Sequence, residues 1–384
     1  MCEINYREGF DEMNMIERYI NQLLEESTPQ RPAWNIEKKN EEASWNYVDG
    51  CMIKAVLELY GATKEERYLN FADSFIDYYV NEDGSIKSYD PEEYNVDNIN
   101  MGKTLFELYR ITKKEKYRKA MDTIYTQIKG QPRTESGNFW HKKIYPNQVW
   151  LDGLYMAQPF YMQYEVEFNE QKNCSDIFAQ FANVYSKLRD KKTGLYYHAM
   201  DESKEMFWCD KETGLSENFW LRAIGWYAMA LVDTMDSMSE NMAEEKELFK
   251  KYFRELMDAM IAFQDPSGMW YQVVDQGDRE GNYLETSGTS IFAYAILKGV
   301  RLGYLPKEYY AYGAKAFDGV CERYLSEKDG KLQLDGICLV GGLGGPNMRD
   351  GSFEYYMSEP IVCNDAKGVG PFLLAYVERA ILSK

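Results

Sequence analysis

The stretch Ile53-Lys54-Ala55-Val56-Leu57-Glu58-Leu59-Tyr60 returns 49 residues later in nearly the same form, as Gly102-Lys103-Thr104-Leu105-Phe106-Glu107-Leu108-Tyr109. In both copies apolar residues recur at the i, i+3, i+4 and i+7 spacings of a buried helix face. The segments that follow also match, Thr63-Lys64-Glu65-Glu66-Arg67-Tyr68 against Thr112-Lys113-Lys114-Glu115-Lys116-Tyr117. Two similar helices repeated in the same order predict a helical hairpin as the unit of the fold.

Turn glycines extend this repeat along the chain. Five of them follow an amphipathic helix and precede a brief extended stretch, namely Gly84, Gly137, Gly194, Gly268 and Gly330. The helical periodicity around them predicts twelve helices. They lie near 9–26, 48–60, 65–80, 97–111, 114–129, 150–168, 175–188, 217–237, 245–264, 286–302, 307–324 and 367–382.

The second to the eleventh of these helices form five hairpins. We expect the first and last helices to pair across the chain ends, which closes a ring of six hairpins and leaves no apolar end repeat exposed. The prediction is an all-α fold, an (α/α)6 barrel formed by a single domain over residues 1–384. An open solenoid is the alternative, but it needs polar caps that these termini do not resemble. In the ring, the first helix of each hairpin lines the inside, so the mouth collects the starts of the inner helices.

Composition and charge exclude several classes of partner. The net charge of −18 argues against nucleic acid and anionic membranes, which bind clustered Lys and Arg. No apolar run approaches the ~18 residues of a membrane span, and the N-terminus MCEINYREGF lacks the regions of a signal peptide. Seven cysteines without regular spacing indicate neither a disulfide framework nor a CxxC metal site. We therefore expect a soluble, cytoplasmic protein with no nucleic-acid or membrane partner.

Three Gly-aromatic segments share one pattern: a hydroxyl residue, Gly, any residue, two aromatics and then His or Gln. They read Ser136-Gly137-Asn138-Phe139-Trp140-His141, Thr193-Gly194-Leu195-Tyr196-Tyr197-His198 and Ser267-Gly268-Met269-Trp270-Tyr271-Gln272. The first two hold both histidines of the chain. A single histidine is more often structural, but the matching positions of His141 and His198 favour a shared pocket wall. Two histidines without a third ligand do not favour a metal site, so no metal or other cofactor is expected.

An acid and a base occupy equivalent ring positions. Trp150-Leu151-Asp152-Gly153 opens one inner helix and Trp220-Leu221-Arg222-Ala223 opens the next, while Asp97 opens another in the same way. An Asp at a helix start is often only a cap or a dipole partner. Aromatic neighbours exclude water and raise the pKa of a carboxylic acid, which suits Asp152 to proton donation. The helix N-terminus acts in the opposite direction.

Two cations and four tryptophans complete the predicted mouth. Arg222 is a natural counter-ion for an anionic ligand, with Lys142 as the second candidate. Alternatively, Arg222 forms a salt bridge to Asp97 or Asp152 that only stabilises the ring. Stacking on sugar faces and core packing are both open for the tryptophans, Trp150, Trp220, Trp226 and Trp270. The glycines of 341–346 lack a following GK[ST], so they predict a flexible loop over the mouth and not a phosphate-binding loop.

Taken in order, these motifs resemble glycoside hydrolase family 105, the unsaturated rhamnogalacturonyl hydrolases, and more distantly family 88, the unsaturated glucuronyl hydrolases. The resemblance covers nearly the whole chain and rests on the hairpin repeats, 139–142, 150–156, 220–226 and 358–370. It implies an (α/α)6 barrel, in agreement with the helix count. It also implies that Asp152 is the general acid/base, in a pocket lined by Asp97, His141, Lys142, Trp150, His198, Trp220, Arg222 and Trp226.

The reaction that this resemblance implies is a hydration. The substrate is a small oligosaccharide of pectin type whose terminal 4-deoxy-hex-4-enuronic acid was made by a polysaccharide lyase. Asp152 would protonate C4 of the enol ether and then deprotonate a water that adds at C5, positioned by His198. The hemiketal opens and expels the neighbouring sugar, so one carboxyl group suffices where most glycosidases use two. Arg222 or Lys142 would bind the substrate carboxylate, and Asp97 would hold ring hydroxyls and the geometry of Asp152.

Three alternatives remain open. One is an unsaturated glucuronyl hydrolase acting on other uronyl disaccharides. Another is a sugar epimerase of the same barrel class, with His141 and His198 as an acid/base pair, acting on saturated sugars without a requirement for Asp152. The third is a non-catalytic glycan-binding toroid, in which Asp152→Asn leaves ligand affinity unchanged. The sugar next to the uronate, the number of subunits and the roles of 200–216 and 341–360 are not predicted.

Overall fold

The structure, a computed structural model, describes residues 6–37 and 43–383. These residues form thirteen α-helices: α1 (Tyr6–Glu25), α2 (Tyr47–Thr63), α3 (Glu66–Tyr79), α4 (Lys103–Thr112), α5 (Glu115–Gly130), α6 (Leu151–Phe168), α7 (Cys174–Lys187), α8 (Leu221–Ser237), α9 (Ala243–Ile261), α10 (Thr286–Arg301), α11 (Tyr310–Tyr324), α12 (Phe353–Ser358) and α13 (Ala366–Leu382). All twelve predicted helices are present. The additional one, α12, lies in the segment that carried no helical periodicity.

Three predicted boundaries differ from the structure in an informative way. The helix predicted near 97–111 begins as a 3-10 segment, Val96–Gly102, before it continues as α4. The helix predicted near 217–237 begins only at Leu221, and the one near 245–264 ends at Ile261. Helix ends are set by capping contacts with other segments, which periodicity alone does not reveal.

The two helices of the sequence repeat end at the same type of C-terminal cap. Thr63 donates its hydroxyl to the carbonyl four residues earlier at 2.8 Å, and Thr112 does the same at 2.7 Å. The next residues, Lys64 and Lys113, adopt the left-handed conformation, with φ of +62° and +57°. Their backbone N–H groups donate to the carbonyls four residues before them, which closes each helix.

Six helical segments form a closed inner ring, as the hairpin count predicts. In cyclic order the contacting segments are α2, residues 96–112, α6, α8, α10 and α13, with α13 touching both α10 and α2. The seam is tight, because a Cβ at Gly370 would lie 2.9 Å from the carbonyl oxygen of Cys51. The remaining helix of each hairpin lies outside the ring. The fold is therefore an (α/α)6 barrel.

The first helix is attached to the strand Lys331–Leu334 and to the segment that leads into α13. Tyr19 of α1 donates its hydroxyl to Asn364 Oδ1 at 2.7 Å, and Gln22 donates to the carbonyl of Leu332 at 2.9 Å. These contacts hold α1 against that strand and against the residues that lead into α13.

Within the described part of the chain, six short β-strands connect the hairpins. They are β1 (Gln148–Trp150), β2 (Ala199–Asp201), β3 (Leu325–Lys328), β4 (Lys331–Leu334), β5 (Ile337–Cys338) and β6 (Ile361–Val362). They pair antiparallel as β1–β2, β3–β4 and β5–β6, and the first pair sets Trp150 opposite Ala199. The strands β1 and β5 precede inner helices or their supporting loops, so they fix the approach to the mouth. Among the described helices, none has the length and apolarity to cross a membrane.

Candidate active site

The Gly-aromatic segments cap the inner helices with their last carbonyl. The first residue of α6 donates its N–H to the carbonyl of His198 at 3.1 Å, and the first residue of α8 donates to Gln272 at 3.0 Å. Val96, which opens the 3-10 segment before α4, donates to His141 at 3.1 Å. The side chains of these capping residues, His141, His198 and Gln272, therefore lie at the N-termini of inner helical segments. The repeated pattern thus brings the three side chains to one end of the ring.

Asp152 lies in the first turn of α6 and faces His198. Its Oδ2 is 3.3 Å from His198 Nε2, and the side chains are 13% and 0% exposed. The two atoms are not aligned as a hydrogen bond, and neither has a hydrogen-bond partner within the described part of the chain. The other ring nitrogen of the histidine, Nδ1, lies 2.8 Å from the hydroxyl of Tyr356. A buried carboxylate and a buried imidazole thus meet with unused hydrogen-bonding capacity, which is a feature of reactive sites.

Trp150 forms one wall beside this pair. Its indole is nearly parallel to the His141 ring, at 4.6 Å between centroids, and to the Tyr145 ring, at 5.4 Å. It meets His198 edge-on at 5.3 Å and donates its Nε1 to Gln148 at 3.0 Å. Trp150 therefore contacts both histidines of the chain and helps to orient their rings.

Asp97 is held as an ion by its neighbours. Lys142 Nζ lies 2.7 Å from its Oδ2, and His141 Nε2 lies 3.4 Å from its Oδ1. Burial opposes ionisation of Asp97, yet Lys142 and then His141 hold the pKa of this carboxyl below its usual value. Burial also lowers the pKa of His141 to about 4, against the opposing effect of Asp97. At neutral pH the group is thus an Asp–Lys ion pair with a neutral imidazole beside it.

The backbone at Gly153 makes room for this imidazole. A Cβ there would lie 3.0 Å from His141 Nδ1. Gly153 follows Asp152 directly, so the glycine of the Trp-Leu-Asp-Gly motif lets α6 and the histidine segment approach closely.

Arg222 occupies the corresponding position in α8 but is fully enclosed. It is 1% exposed. Its Nη1 donates to the carbonyl of Cys338 and to Ser287 Oγ at 3.2 Å, and its guanidinium lies 4.7 Å from the Trp220 ring. No ion pair within 6–37 or 43–383 includes it, so a salt bridge to Asp97 or Asp152 is not formed. Arg222 forms no direct ion pair among the described residues, and Ser287 links it to the buried carboxylate of Glu285, which accepts the Ser287 hydroxyl at 2.7 Å.

The remaining predicted tryptophans differ in their surroundings. Trp220 lies 4.8 Å from His198 and stacks on Tyr356 at 5.8 Å. Trp226 is 1% exposed and stacks on Tyr155, three residues after Asp152. The third, in the Gln272 segment, donates its Nε1 to the carbonyl of Met260 and is fully buried, which is a core contact. The structure thus brings Trp150 and Trp220 to the histidines, whereas Trp226 stacks on Tyr155 of α6.

Two loops cover this end of the ring, 200–216 and 341–350. A small apolar cluster joins them over Trp150 through Trp208 and Leu343. Gly341 lies so close to Trp220 that a Cβ there would be 2.3 Å from the indole ring. The loop at 341–346 therefore lies over the mouth, as expected from its position.

Tyr356 is the functional candidate that sequence reasoning missed. It is 158 residues from His198 in the chain and lies on the short helix α12, in a stretch without periodicity. Its only sequence signal was proximity to the motif that begins at Ser358, which is too weak to identify it.

A family model described as Glycosyl Hydrolase Family 88 matches residues 16–382 of the chain. Among curated proteins, the chain is 26% identical to the unsaturated rhamnogalacturonyl hydrolase YesR of Bacillus subtilis strain 168, over 75% of this chain and 78% of that protein. It is 38% identical over 60% of its length to the whole of a protein of Agrobacterium fabrum strain C58.

Solved structures agree. A glycoside hydrolase from family 105 of C. acetobutylicum ATCC 824 is 45% identical, with a TM-score of 0.88, over 96% of this chain and 99% of that one. A possible member of family GH105 from Salmonella enterica serovar Paratyphi A has the same fold, with 20% identity, a TM-score of 0.80 and coverage of 100% and 97%. The prediction from the motifs is confirmed: the chain belongs to the glycoside hydrolases of families 88 and 105.

Proposed function

We propose that this glycoside hydrolase removes a terminal 4,5-unsaturated uronic acid from lyase-generated, pectin-type oligosaccharides by hydrating the C4=C5 enol ether. The observation that carries the proposal is the approach of Asp152 Oδ2 to His198 Nε2 at 3.3 Å; both atoms are buried, and neither has a hydrogen-bond partner among the described residues. A proton donor to carbon must approach its target without water in between, and aromatic walls exclude water.

A single catalytic carboxyl group fits this reaction better than ordinary glycoside hydrolysis. Classical glycosidases need one carboxyl as acid and another as nucleophile or base. The second carboxylate near this site, Asp97, is paired with Lys142 at 2.7 Å. Its pKa is held low by that partner, so Asp97 is suited to bind hydroxyl groups and not to deliver a proton.

The proposed sequence uses one water. Asp152 in its acid form gives its proton to C4, and the electrons of the double bond leave a cation shared by C5 and the ring oxygen. The resulting carboxylate takes a proton from water as the water oxygen bonds to C5, which restores the acid. The hemiketal then breaks its bond from C5 to the ring oxygen, giving a ketone, and the hemiacetal at C1 collapses to an aldehyde and releases the neighbouring sugar.

Arg222 is our candidate for attracting the substrate carboxylate. It makes no direct ion pair in the described structure, whereas Lys142 is paired with Asp97 at 2.7 Å. The chain as a whole is acidic, with a net charge of −18, so a local cation is needed to hold an anion. Its donors to Ser287 and to the β5 segment would set the position of that charge.

Similarity to YesR, an unsaturated rhamnogalacturonyl hydrolase, supports rhamnose as the neighbouring sugar. The loop 200–216 lies over Trp150 and is the segment that we expect to adjust this preference. Short imported oligosaccharides are cytoplasmic substrates, so we propose a cytoplasmic location as well.

The function is tested with a panel of disaccharides. The enol-ether chromophore absorbs in the ultraviolet, so its loss follows the reaction directly. We expect loss of absorbance with an unsaturated rhamnogalacturonyl disaccharide and slower loss with unsaturated glucuronyl disaccharides. No loss with any unsaturated uronyl disaccharide would exclude the hydration. Turnover of saturated sugars alone would favour the epimerase, in which His141 and His198 act as the acid/base pair.

A further inference from the structure

The two nitrogens of His198 have different surroundings. Nδ1 lies 2.8 Å from the hydroxyl of Tyr356, and Nε2 lies 3.3 Å from Asp152 Oδ2. A neutral imidazole carries one proton, so the partner of one nitrogen decides what the other presents. The role of His198 therefore depends on the direction of its hydrogen bond with Tyr356.

The Tyr356 hydroxyl has one hydrogen-bond acceptor within reach in the described structure, His198 Nδ1. Both side chains are 0% exposed, and His198 Nδ1 is the sole hydrogen-bond partner of this hydroxyl in the described structure. If Nδ1 carried the proton, it would donate to the phenol oxygen and leave the phenol proton buried without an acceptor, whereas a proton on Nε2 lies beside the carboxylate of Asp152, whose Oδ2 is 3.3 Å away, where a substrate can accept it. Burial raises the pKa of Tyr356 well above its usual value, so the phenol keeps its proton.

The phenol ring is fixed as firmly as its hydroxyl. It stacks on Trp220 at 5.8 Å, with 18° between the ring planes, and Trp220 in turn contacts His198 at 4.8 Å. Gly341 of the covering loop packs against the same indole. The position of the hydroxyl is thus determined by α12 and by the loop that covers the mouth.

We propose that Tyr356 is a positioning residue that donates to His198 Nδ1 and holds this histidine in the tautomer with its proton on Nε2, the nitrogen that lies 3.3 Å from Asp152 Oδ2 at the substrate site. The inference rests on the proposed function. In this tautomer His198 is a fixed donor that can hold a water oxygen or the substrate carboxylate, and it cannot take a proton from water. Asp152 is then the base in the second half of the reaction as well as the acid in the first.

The chain allows a direct test, because it has only two histidines. In 15N-histidine NMR spectra of the full chain, with His141→Gln used for assignment, we expect His198 to show a protonated Nε2 and an unprotonated, hydrogen-bonded Nδ1. In Tyr356→Phe the Nδ1 signal shifts and the two tautomers mix. A protonated Nδ1 in the wild type would overturn the inference, and so would an unchanged His198 spectrum in Tyr356→Phe.

The neighbouring tyrosine provides the matched control. The Tyr355 hydroxyl accepts from the N–H of Gly342 at 2.9 Å, away from His198. Tyr355→Phe should leave the His198 signals in place, while Tyr356→Phe should lower kcat about tenfold with little change in KM. The NMR result is read without substrate, so it distinguishes failure of this inference from failure of the proposed function, which would appear as no turnover by the wild type.

Discussion

At the mouth of the ring Asp152 and His198 face each other without a hydrogen bond, whereas at the opposite end Lys298 is paired with Asp233 at 2.8 Å and Asp236 at 2.9 Å. The far end forms a cavity of about 490 Å³ between the C-terminal halves of the inner helices. The same six helical segments thus carry charge at both ends, but the mouth sets a carboxylate and an imidazole face to face without a hydrogen bond, whereas the far end joins its carboxylates to Lys298.

This difference between the two ends indicates that the paired charges at the far end serve stability, whereas the unpaired groups at the mouth serve function. Paired charges stabilise the fold only modestly when formed but cost much when one partner is removed. Unpaired buried groups are a cost to stability that is retained where a ligand uses them. We therefore expect changes at the mouth to reduce activity with little effect on folding, and changes at the far end to do the reverse.

Asp152→Asn should have the largest effect. The amide cannot donate a proton to C4, so kcat/KM should fall by about 10³-fold, within the range for a lost general acid. Glu66→Gln is the control, since it removes an exposed first-turn carboxylate from the outer helix α3. Full activity in Asp152→Asn, measured by loss of enol-ether absorbance, would exclude the acid role while leaving the family assignment intact.

Lys298→Met should destabilise the fold without a comparable loss of activity. It leaves Asp233 buried, with the Tyr294 hydroxyl at 2.8 Å as its remaining partner. We expect a loss of about 3–5 kcal/mol in the free energy of unfolding, measured by denaturant titration. The double variant Lys298→Met/Asp233→Leu should recover part of this loss, and equal stability of single and double variants would contradict the pairing argument.

Lys103 makes the far end sensitive to pH. Pro159 lacks an N–H, which leaves the Tyr155 carbonyl without its helical donor, and Lys103 Nζ donates to that carbonyl at 3.2 Å. Burial lowers the pKa of Lys103 to about 7, with Asp233 opposing this effect. Between about pH 7 and pH 10 the unfolded chain therefore binds more protons at this lysine than the folded chain does, so its contribution to stability rises with pH.

Lys103→Met tests this sign. Relative to the variant, the wild type should gain about 1 kcal/mol of unfolding free energy per pH unit within that window, measured by denaturant titration at several pH values. Identical pH slopes for the two proteins would show that Lys103 keeps an ordinary pKa in the folded state.

Gly341→Ala should have the smallest effect of the series. The added Cβ would lie 2.3 Å from the Trp220 ring, so the covering loop must move away from the mouth. We expect a drop in kcat/KM of roughly tenfold, about 1.4 kcal/mol, with an unchanged unfolding midpoint. Gly61→Ala, where no atom lies within 4 Å of the added Cβ, is the control. A stable variant with full activity would show that the loop does not shape the site.

The ring and the positions of His141 and His198 in the candidate site could both be predicted from the hairpin repeat. Local periodicity and turn glycines repeat with the hairpin, and the carbonyl caps at His141 and His198 repeat with it, so ring positions follow from counting. Asp152 could be proposed as a candidate from the sequence because its motif opens an inner helix.

The rest depends on contacts between distant segments. The bond between His198 and Tyr356 spans 158 residues, and no periodic signal marks α12. Lys103 and Lys298 look like ordinary solvated charges on amphipathic helices, yet both are buried at the far end of the ring. Periodicity reports which side of a helix is apolar, but it does not report which polar groups meet across the ring.

The most direct test of the account is the position at which solvent enters the product. The wild-type enzyme is incubated with an unsaturated rhamnogalacturonyl disaccharide in D2O, and the early product is analysed by NMR. Hydration of the enol ether by Asp152 predicts one deuterium at C4 and loss of the C4=C5 double bond before the neighbouring sugar is released. Release of that sugar with the double bond intact and no deuterium at C4 would contradict it.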